Sequence, residues 1–243
     1  MTHRRHWRDI KYSVASLLFG GSRAERLRWQ RAQLGEFEWW RAIATRGFNG
    51  RTRDEFLALA QREWLLSHLA VLEKRPDAWK RGTVVEFGSG PAGFVEYLDA
   101  ARKIAIEPLI DRYRQVFPHL AASTVEYWSC PAEDIGHTLD GSADLVICFN
   151  VLDHTRDPRQ VVENLARVAK TGADLLFQLN VYSSPAEMQK KPRKHAELHP
   201  HSLDADTVLR LLRRHRFDIR RQRLSDEADH NGEHFFICAG VKT

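Results

Sequence analysis

Short apolar runs alternate with helical stretches from residue 82 to the end of the chain. Seven runs have the length and composition of strands and cover residues 83–87, 104–106, 124–128, 144–149, 174–179, 217–224 and 234–241. Helical spacing is found at residues 93–101, 109–117, 158–169 and 204–214. Strands that alternate with helices form parallel sheets, whereas only a polar turn joins the last two strands. The pattern therefore predicts an α/β fold, with a seven-stranded, mostly parallel sheet and an antiparallel C-terminal hairpin at its edge.

The N-terminal part of the chain has a different, wholly helical pattern. A first helix is predicted to begin at a capping box formed by Ser22 and Glu25. Two glycines interrupt the pattern, after which Asp54 is placed to cap a second helix. Six of the seven tryptophans lie here, at Trp7, Trp29, Trp39, Trp40, Trp64 and Trp79. We predict a helical N-terminal cap at residues 1–80, whose tryptophans pack and roof a pocket, followed by the sheet domain at residues 81–243.

Composition and charge limit the class of protein. The 243 residues are 43% hydrophobic and 28% charged, which is typical of a globular protein, and no apolar run approaches the ~18 residues of a membrane span. Three cysteines without metal-ligand spacing indicate a reducing, cytoplasmic location. The net charge of +5 is segregated, with acidic excess at residues 81–189 and basic excess on both sides. The basic segments are either solvated helix faces or a rim that receives an anionic substrate or a membrane surface.

The strongest motif is the glycine-rich turn after the first predicted strand. Gly88, Gly90 and Gly93 match the G-x-G-x-x-G pattern of dinucleotide sites. Glu86 precedes them, and its carboxylate would repel a pyrophosphate but favour the cationic amino and sulfonium groups of S-adenosylmethionine (SAM). Glu107 ends the next strand, where it can accept hydrogen bonds from two ribose hydroxyls. We favour SAM over a nicotinamide dinucleotide; a glycine turn that binds no ligand is the third alternative.

Together, these motifs resemble those of the class I SAM-dependent methyltransferases over residues 81–243. The glycine turn resembles the family's first motif, residues 132–134 resemble its adenine loop, and residues 143–154 resemble its fourth strand and the following loop. The Trp-rich N-terminus is similar to that of bacterial methyltransferase-domain proteins. The resemblance implies a Rossmann-like fold and a SAM site. The implied cofactor-binding residues are Glu86, Gly88, Gly90, Glu107, Ala132, Glu133, Phe149 and Asn150.

Methyl transfer from a sulfonium is an in-line displacement. It requires alignment and, for a hydroxyl acceptor, a base, but no metal, and we predict no metal site. His154 is the first candidate base because its unperturbed pKa lies near 6.5, and His199 is the second. The alternatives are that His154 ties down its loop and that His199 and His201 are surface histidines. Asp153, Tyr182 and His201 are predicted to orient the acceptor.

The predicted activity is transfer of a methyl group to an oxygen, or else a nitrogen, of a small molecule or glycan. Residues 183–201 are predicted to form a lid whose basic side chains meet an anionic acceptor. The Pro-Pro-aromatic loop of methyltransferases that act on base amino groups is absent, which argues against nucleic acid. An NAD(P)-dependent oxidoreductase and a non-catalytic SAM-binding module are the alternatives. Residues 1–21 have the pattern of an amphipathic helix that would contact a membrane surface or a second subunit in a homodimer.

Overall fold

A seven-stranded sheet forms the centre of the computed structural model, which describes residues 23–189 and 191–243. The strands are β1 Thr83–Phe87, β2 Arg102–Ile106, β3 Glu126–Trp128, β4 Ala143–Phe149, β5 Ala169–Val181, β6 Phe217–Leu224 and β7 His234–Lys242. Their order is β3-β2-β1-β4-β5-β7-β6, and the first five strands are parallel. Strand β7 lies antiparallel between β5 and β6. The predicted fold class and its antiparallel edge hairpin are therefore confirmed.

Helices cover both faces of the sheet and form the N-terminal cap. They are α1 Arg23–Arg46, α2 Arg53–Ala58, α3 Leu65–Leu72, α4 Ile110–Tyr113, α5 Pro158–Val168, α6 Pro185–Gln189, α7 Arg193–Leu198 and α8 Ala205–Arg214. A π-helical turn, Leu59–Trp64, joins α2 to α3. In the described part of the chain, each helix is too short or too polar to cross a bilayer. The predicted capping residue Ser22 and the amphipathic segment 1–21 lie outside the described residues.

Two of the predicted helices are wrong in extent. Residues 93–101 form only a 3-10 turn at Phe94–Tyr97, because the chain turns extended again at Leu98 to enter β2. The backbone amides of the turn are instead satisfied by the Glu86 carboxylate (see below). Within residues 109–117 only α4 is an α-helix. The chain then changes to i→i+3 hydrogen bonds and forms the 3-10 turn Pro118–Ala121.

The sheet is buried between two apolar layers. On one face β1, β4 and β5 pack against α5 and α8. On the other face Leu65, Leu69 and Leu72 of α3 pack in one cluster with Trp79 and the same strands. The second helix of the predicted cap therefore belongs to the core of the sheet domain. The predicted division at residues 80 and 81 stays a prediction.

Helix α1 of the cap is in close contact with α7. A Cβ on Gly35 would lie 2.1 Å from Leu198 Cδ2, so a larger residue at position 35 would require the Leu198 side chain to move. Arg28 also donates to the carbonyl oxygen of Pro200. The segment predicted as a lid is thus packed against the cap.

The N-cap residue of the second N-terminal helix is Thr52, and not Asp54 as predicted. Thr52 and Glu55 form a capping box, in which each side chain accepts the other's backbone N–H. We expect Thr52→Ala to lower the free energy of unfolding by about 1 kcal/mol, because an amide at the helix start loses its acceptor. Urea unfolding measures this change. Asp54→Ala is the control and is expected to lower the stability by less. A larger effect would show that Asp54 is the capping residue.

Candidate active site

The glycine turn brings the backbone close to two neighbouring loops. Gly88 and Gly90 have φ angles of +66° and +54°, which glycine adopts without strain. A Cβ on Gly88 would lie 2.4 Å from Val151 Cγ2, so the loop after β4 packs directly on the turn. A Cβ on Gly90 would lie 3.5 Å from Cζ2 of Trp40, a residue of helix α1. The turn is thereby enclosed on one side by the sheet domain and on the other by the cap.

The carboxylate of Glu107 lies at the end of β2, beside this turn. Its Oε2 accepts the N–H of Gly90 at 2.9 Å, and its Oε1 accepts the N–H of Leu109 at 2.8 Å. Burial raises the pKa of Glu107 to about 7, although the two amides act in the opposite direction. A carboxylate held in this way has further lone pairs for the two hydroxyls of a ribose.

Glu86 is used differently from the sequence-based expectation. Its carboxylate accepts the backbone N–H groups of Phe94 and Val95 at 3.2 and 2.8 Å and thereby holds the turn after the glycine loop. Burial raises the pKa of Glu86 to about 7. The side chain still lines the cavity described next, so its predicted contact with the cofactor stays a prediction.

A cavity of about 730 Å³ connects the glycine turn to the N-terminal cap. All eight predicted cofactor-binding residues line it, together with His154. Its lining includes four acidic residues, Glu36, Glu86, Glu107 and Glu133. This size suits a small molecule, and the acidic lining fits a cationic ligand such as SAM better than a pyrophosphate.

The remaining predicted cofactor residues also line the cavity. Asn164 fixes the loop at Ala132 and Glu133 by donating to both carbonyl oxygens, at 2.8 and 3.0 Å. Glu133 Oε1 accepts the backbone N–H of Arg156 at 2.6 Å, so this loop is tied to the loop after β4. Asn150 follows Phe149 with a φ of +53°, which turns the chain sharply at the end of β4.

Aromatic side chains make up much of the cavity lining. The cap contributes Trp29, Trp39, Trp40, Phe48, Phe56 and Trp64, and the sheet domain contributes Phe94, Tyr113, Phe149 and Phe235. The expectation that some tryptophans face a pocket is therefore confirmed for four of them. Trp79 instead packs in the core, where its indole donates to Asp174 at 3.1 Å. Trp7 lies outside the described residues.

His154 lies on the cavity wall between two carboxylates. Its Nδ1 is 3.8 Å from Glu36 Oε2, and its Nε2 is 3.7 Å from Asp153 Oδ2. Burial acts to lower the pKa of His154, but the two carboxylates outweigh it and the net shift is upward. A larger fraction of His154 is therefore protonated at neutral pH than for a free histidine, which weakens it as a base.

A second histidine on the wall, His68, has no signal in the sequence because it lies among the leucines of α3. Its Nδ1 lies 2.6 Å from the carbonyl oxygen of Trp64, which must accept, so Nδ1 carries the proton and Nε2 has the free lone pair. The ring packs against Phe94, Phe149 and Phe235. Burial lowers the pKa of His68, which keeps it neutral and able to accept a proton.

The other predicted catalytic and substrate residues do not line the cavity. Asp153 is buried, with Oδ2 3.0 Å from His199 Nδ1. His201 holds the loop after β4 through its ring, which contacts the carbonyl oxygens of Thr155 and Arg156 at 3.0 and 3.2 Å. Tyr182 is buried at the end of β5. A direct contact of these four side chains with the acceptor stays a prediction.

The shifted pKa of Glu107 predicts that cofactor binding depends on pH. In its predicted role, the ionised carboxylate accepts hydrogen bonds from the ribose hydroxyls, whereas protonation removes an acceptor. We expect SAM affinity to fall about five- to tenfold from pH 7.5 to pH 6, because this range crosses a pKa of about 7. Calorimetric titrations across this range measure the effect. Glu107→Gln cannot ionise and should give a flatter profile; an equally steep profile would assign the titration to another group.

The sheet order and the cavity beside the glycine turn define a class I SAM-dependent methyltransferase. Residues 51–222 match the family described as "Methyltransferase domain", and the chain belongs to this family. Family membership decides between the two interpretations of the glycine motif in favour of SAM. The match begins inside the predicted cap, in agreement with the packing of α3 in the main core.

Individual relatives are similar over part of their length or in fold alone. A ubiquinone biosynthesis O-methyltransferase of Hahella chejuensis is 41% identical over 54 residues, which are 22% of this chain and 23% of that protein. A SAM-dependent methyltransferase of Thermotoga maritima is 19% identical, with a TM-score of 0.56 and coverage of 78% of this chain and 94% of that one. The N-methyltransferase NodS of Bradyrhizobium japonicum, solved with S-adenosyl-L-homocysteine, is 14% identical, with a TM-score of 0.56 and coverage of 75% and 87%. The two structures show the fold.

Proposed function

We propose that this methyltransferase transfers the methyl group of SAM to a hydroxyl oxygen of a small molecule with a flat, apolar body. The observation that carries the proposal is the cavity at the glycine turn, whose lining combines carboxylates with aromatic side chains and a neutral histidine. Aromatic side chains bind flat apolar groups over a large contact area. The partial similarity to O-methyltransferases supports oxygen as the acceptor atom.

Different residues of the cavity wall have separate roles in the reaction. When SAM is bound, it supplies the activated methyl group. Glu107, Ala132 and Glu133 hold its nucleoside, and the cap excludes water from the acceptor. His68 accepts the hydroxyl proton at Nε2, which makes the oxygen a better nucleophile as its bond to carbon forms. Arg223, also on the wall, suits an anionic group on the acceptor.

A panel of acceptors tests the substrate class. Phenols, hydroxylated sugars and amines are each incubated with SAM, and formation of S-adenosylhomocysteine and of the methylated product is followed by mass spectrometry. We expect methyl ethers of the phenols. Methylation confined to amines would refute oxygen as the acceptor atom, and methylation confined to sugars would refute the aromatic pocket as the acceptor site. The cytoplasmic location and contacts of residues 1–21 stay predictions.

The role of His68 is tested with the best phenol of that panel. We expect His68→Ala to lower kcat about 100-fold with little change in SAM affinity, because general bases contribute on this scale. His154→Ala is measured in parallel and is expected to have the smaller effect. The reverse order would identify His154 as the base, as the sequence predicts.

A further inference from the structure

A cluster of buried histidines and carboxylates lies outside the cavity. His195 and His199 come from the segment between β5 and α8, and Glu233 comes from the turn before β7. The backbone N–H of His199 donates to the carbonyl oxygen of His195 at 3.0 Å, so one helical turn presents both rings on the same side. Their ring centroids are 3.9 Å apart. His195 Nε2 lies 3.0 Å from Glu233 Oε1.

Three polar atoms of this cluster make no hydrogen bond of acceptable geometry among the described residues. They are His195 Nε2, His199 Nδ1 and Glu233 Oε2, and all three are buried. The two nitrogens each lie 3.0 Å from a carboxylate oxygen, of Glu233 and Asp153 respectively. Glu233 as a whole is 4% exposed. Buried polar groups in native proteins are almost always paired, so Glu233 Oε2 and the histidine rings require a further partner.

The neighbouring lysine, Lys191, is not the missing hydrogen-bond partner of these atoms. The ammonium of Lys191 donates to the carbonyl oxygens of His199 and His201 at 3.0 and 3.2 Å, and to the hydroxyl of Ser202 at 3.2 Å. Its three donors are thereby used. Glu233 Oε2 is therefore left without a donor from this lysine.

We propose that His195, His199 and Glu233 bind a transition-metal ion, with Zn²⁺ as the best match. One ligand atom from each residue lies within 4.8 Å of the others, and small side-chain movements bring such atoms to the edges of about 3.3 Å of a tetrahedral zinc site. Two imidazoles and one carboxylate suit Zn²⁺, whereas Mg²⁺ and Ca²⁺ prefer oxygen ligands throughout. The expectation of no metal, drawn from the chemistry of methyl transfer, does not apply to an ion outside the cavity.

This ion has a positioning role. It joins the segment that carries α7 to the start of β7, and α7 in turn packs on cap helix α1 at Gly35. Asp153 Oδ2 contacts His199 Nδ1 at 3.0 Å and orients the ring, which leaves Nε2 as the His199 nitrogen for the metal. Asp153 lies two residues after Val151, which packs on the glycine turn. Binding of the metal thus stabilises the arrangement of cap, lid segment and sheet edge around the cavity.

Metal binding is tested on the full chain without any methyl acceptor. The protein is stripped with a chelator, and Zn²⁺ is titrated by calorimetry while thermal unfolding is followed. Co²⁺ is added separately, since its visible absorption reports tetrahedral coordination. We expect one Zn²⁺ per chain, a rise in Tm with Zn²⁺, and loss of at least tenfold in affinity for both His195→Gln and Glu233→Gln.

Two control variants make the test specific. His230→Gln changes an exposed histidine of the same turn as Glu233 and should keep the wild-type affinity for Zn²⁺. His154→Gln should also keep it, although His154, His199 and Asp153 form a neighbouring group with similar spacing. The proposal is overturned if the wild type binds no Zn²⁺, or if His154→Gln abolishes binding while Glu233→Gln does not.

Discussion

Replacing Glu107 with alanine is expected to weaken SAM binding about 10- to 100-fold. In its predicted role, Glu107 accepts hydrogen bonds from the ribose hydroxyls, and a net loss of about 1.5–3 kcal/mol, the contribution of one hydrogen bond to a charged group, corresponds to this change in affinity. The variant also leaves the amides of Gly90 and Leu109 without their acceptor, so the glycine turn loses its support. Calorimetry with SAM and with S-adenosylhomocysteine measures the affinity for each.

The matched control for this variant is Glu126→Ala on the adjacent strand β3. Glu126 is exposed, pairs with Arg102 and does not line the cavity. It should keep the wild-type affinity. Thermal unfolding without ligand separates a loss of affinity from a loss of folded protein. If folded Glu107→Ala binds SAM as tightly as the wild type, Glu107 does not hold the ribose.

Replacing Gly88 with alanine is expected to lower the free energy of unfolding by about 2–5 kcal/mol. A side chain at a φ of +66° costs about 1–2 kcal/mol, and the new Cβ would lie 2.4 Å from Val151, which adds an overpacking cost of about 1–3 kcal/mol. For a chain of this size, the change corresponds to a fall in Tm of roughly 4–20 °C. Differential scanning calorimetry measures it.

The variant Gly136→Ala separates the cost of backbone strain at a positive φ from the cost of crowding by a neighbouring side chain. Gly136 also has a positive φ, +59°, but no atom lies within 4 Å of the added Cβ. Its loss of stability should therefore be limited to the backbone cost of about 1–2 kcal/mol. The second substitution Val151→Ala should restore part of the stability of Gly88→Ala. Equal losses for both glycine variants would show that Val151 does not limit the space at Gly88.

Features with local signals could be predicted from the sequence. The β-branched residues before Gly88 predict strand β1, the polar link before His234 predicts the antiparallel hairpin, and Asp157 and Asp204 mark helix starts by their capping side chains. The eight residues that the family resemblance implies for the cofactor line one cavity, because parallel strands end at one edge of the sheet and bring their following loops together. Their contact with SAM stays a prediction.

Features that depend on distant partners could not be predicted in this way. Residues 93–101 have helical spacing, but Glu86, eight residues before Phe94, takes up the amides of the turn. His68 is indistinguishable from a core histidine until β4 and β7 place Phe149 and Phe235 beside it. His195 and Glu233 are far apart in the chain, and only the position of β7 brings them within 3.0 Å.

The position of Trp40 predicts that the binding of the two substrates is interdependent. Its indole contacts the glycine turn, where the cofactor is predicted to bind, and donates to Glu36 at 2.9 Å. Any shift of the indole when one molecule enters changes the space for the other. Thermodynamic reciprocity then requires that an acceptor that tightens SAM binding is itself held more tightly once SAM is present. Titrating each substrate in the presence of the other therefore yields the same coupling factor from both directions.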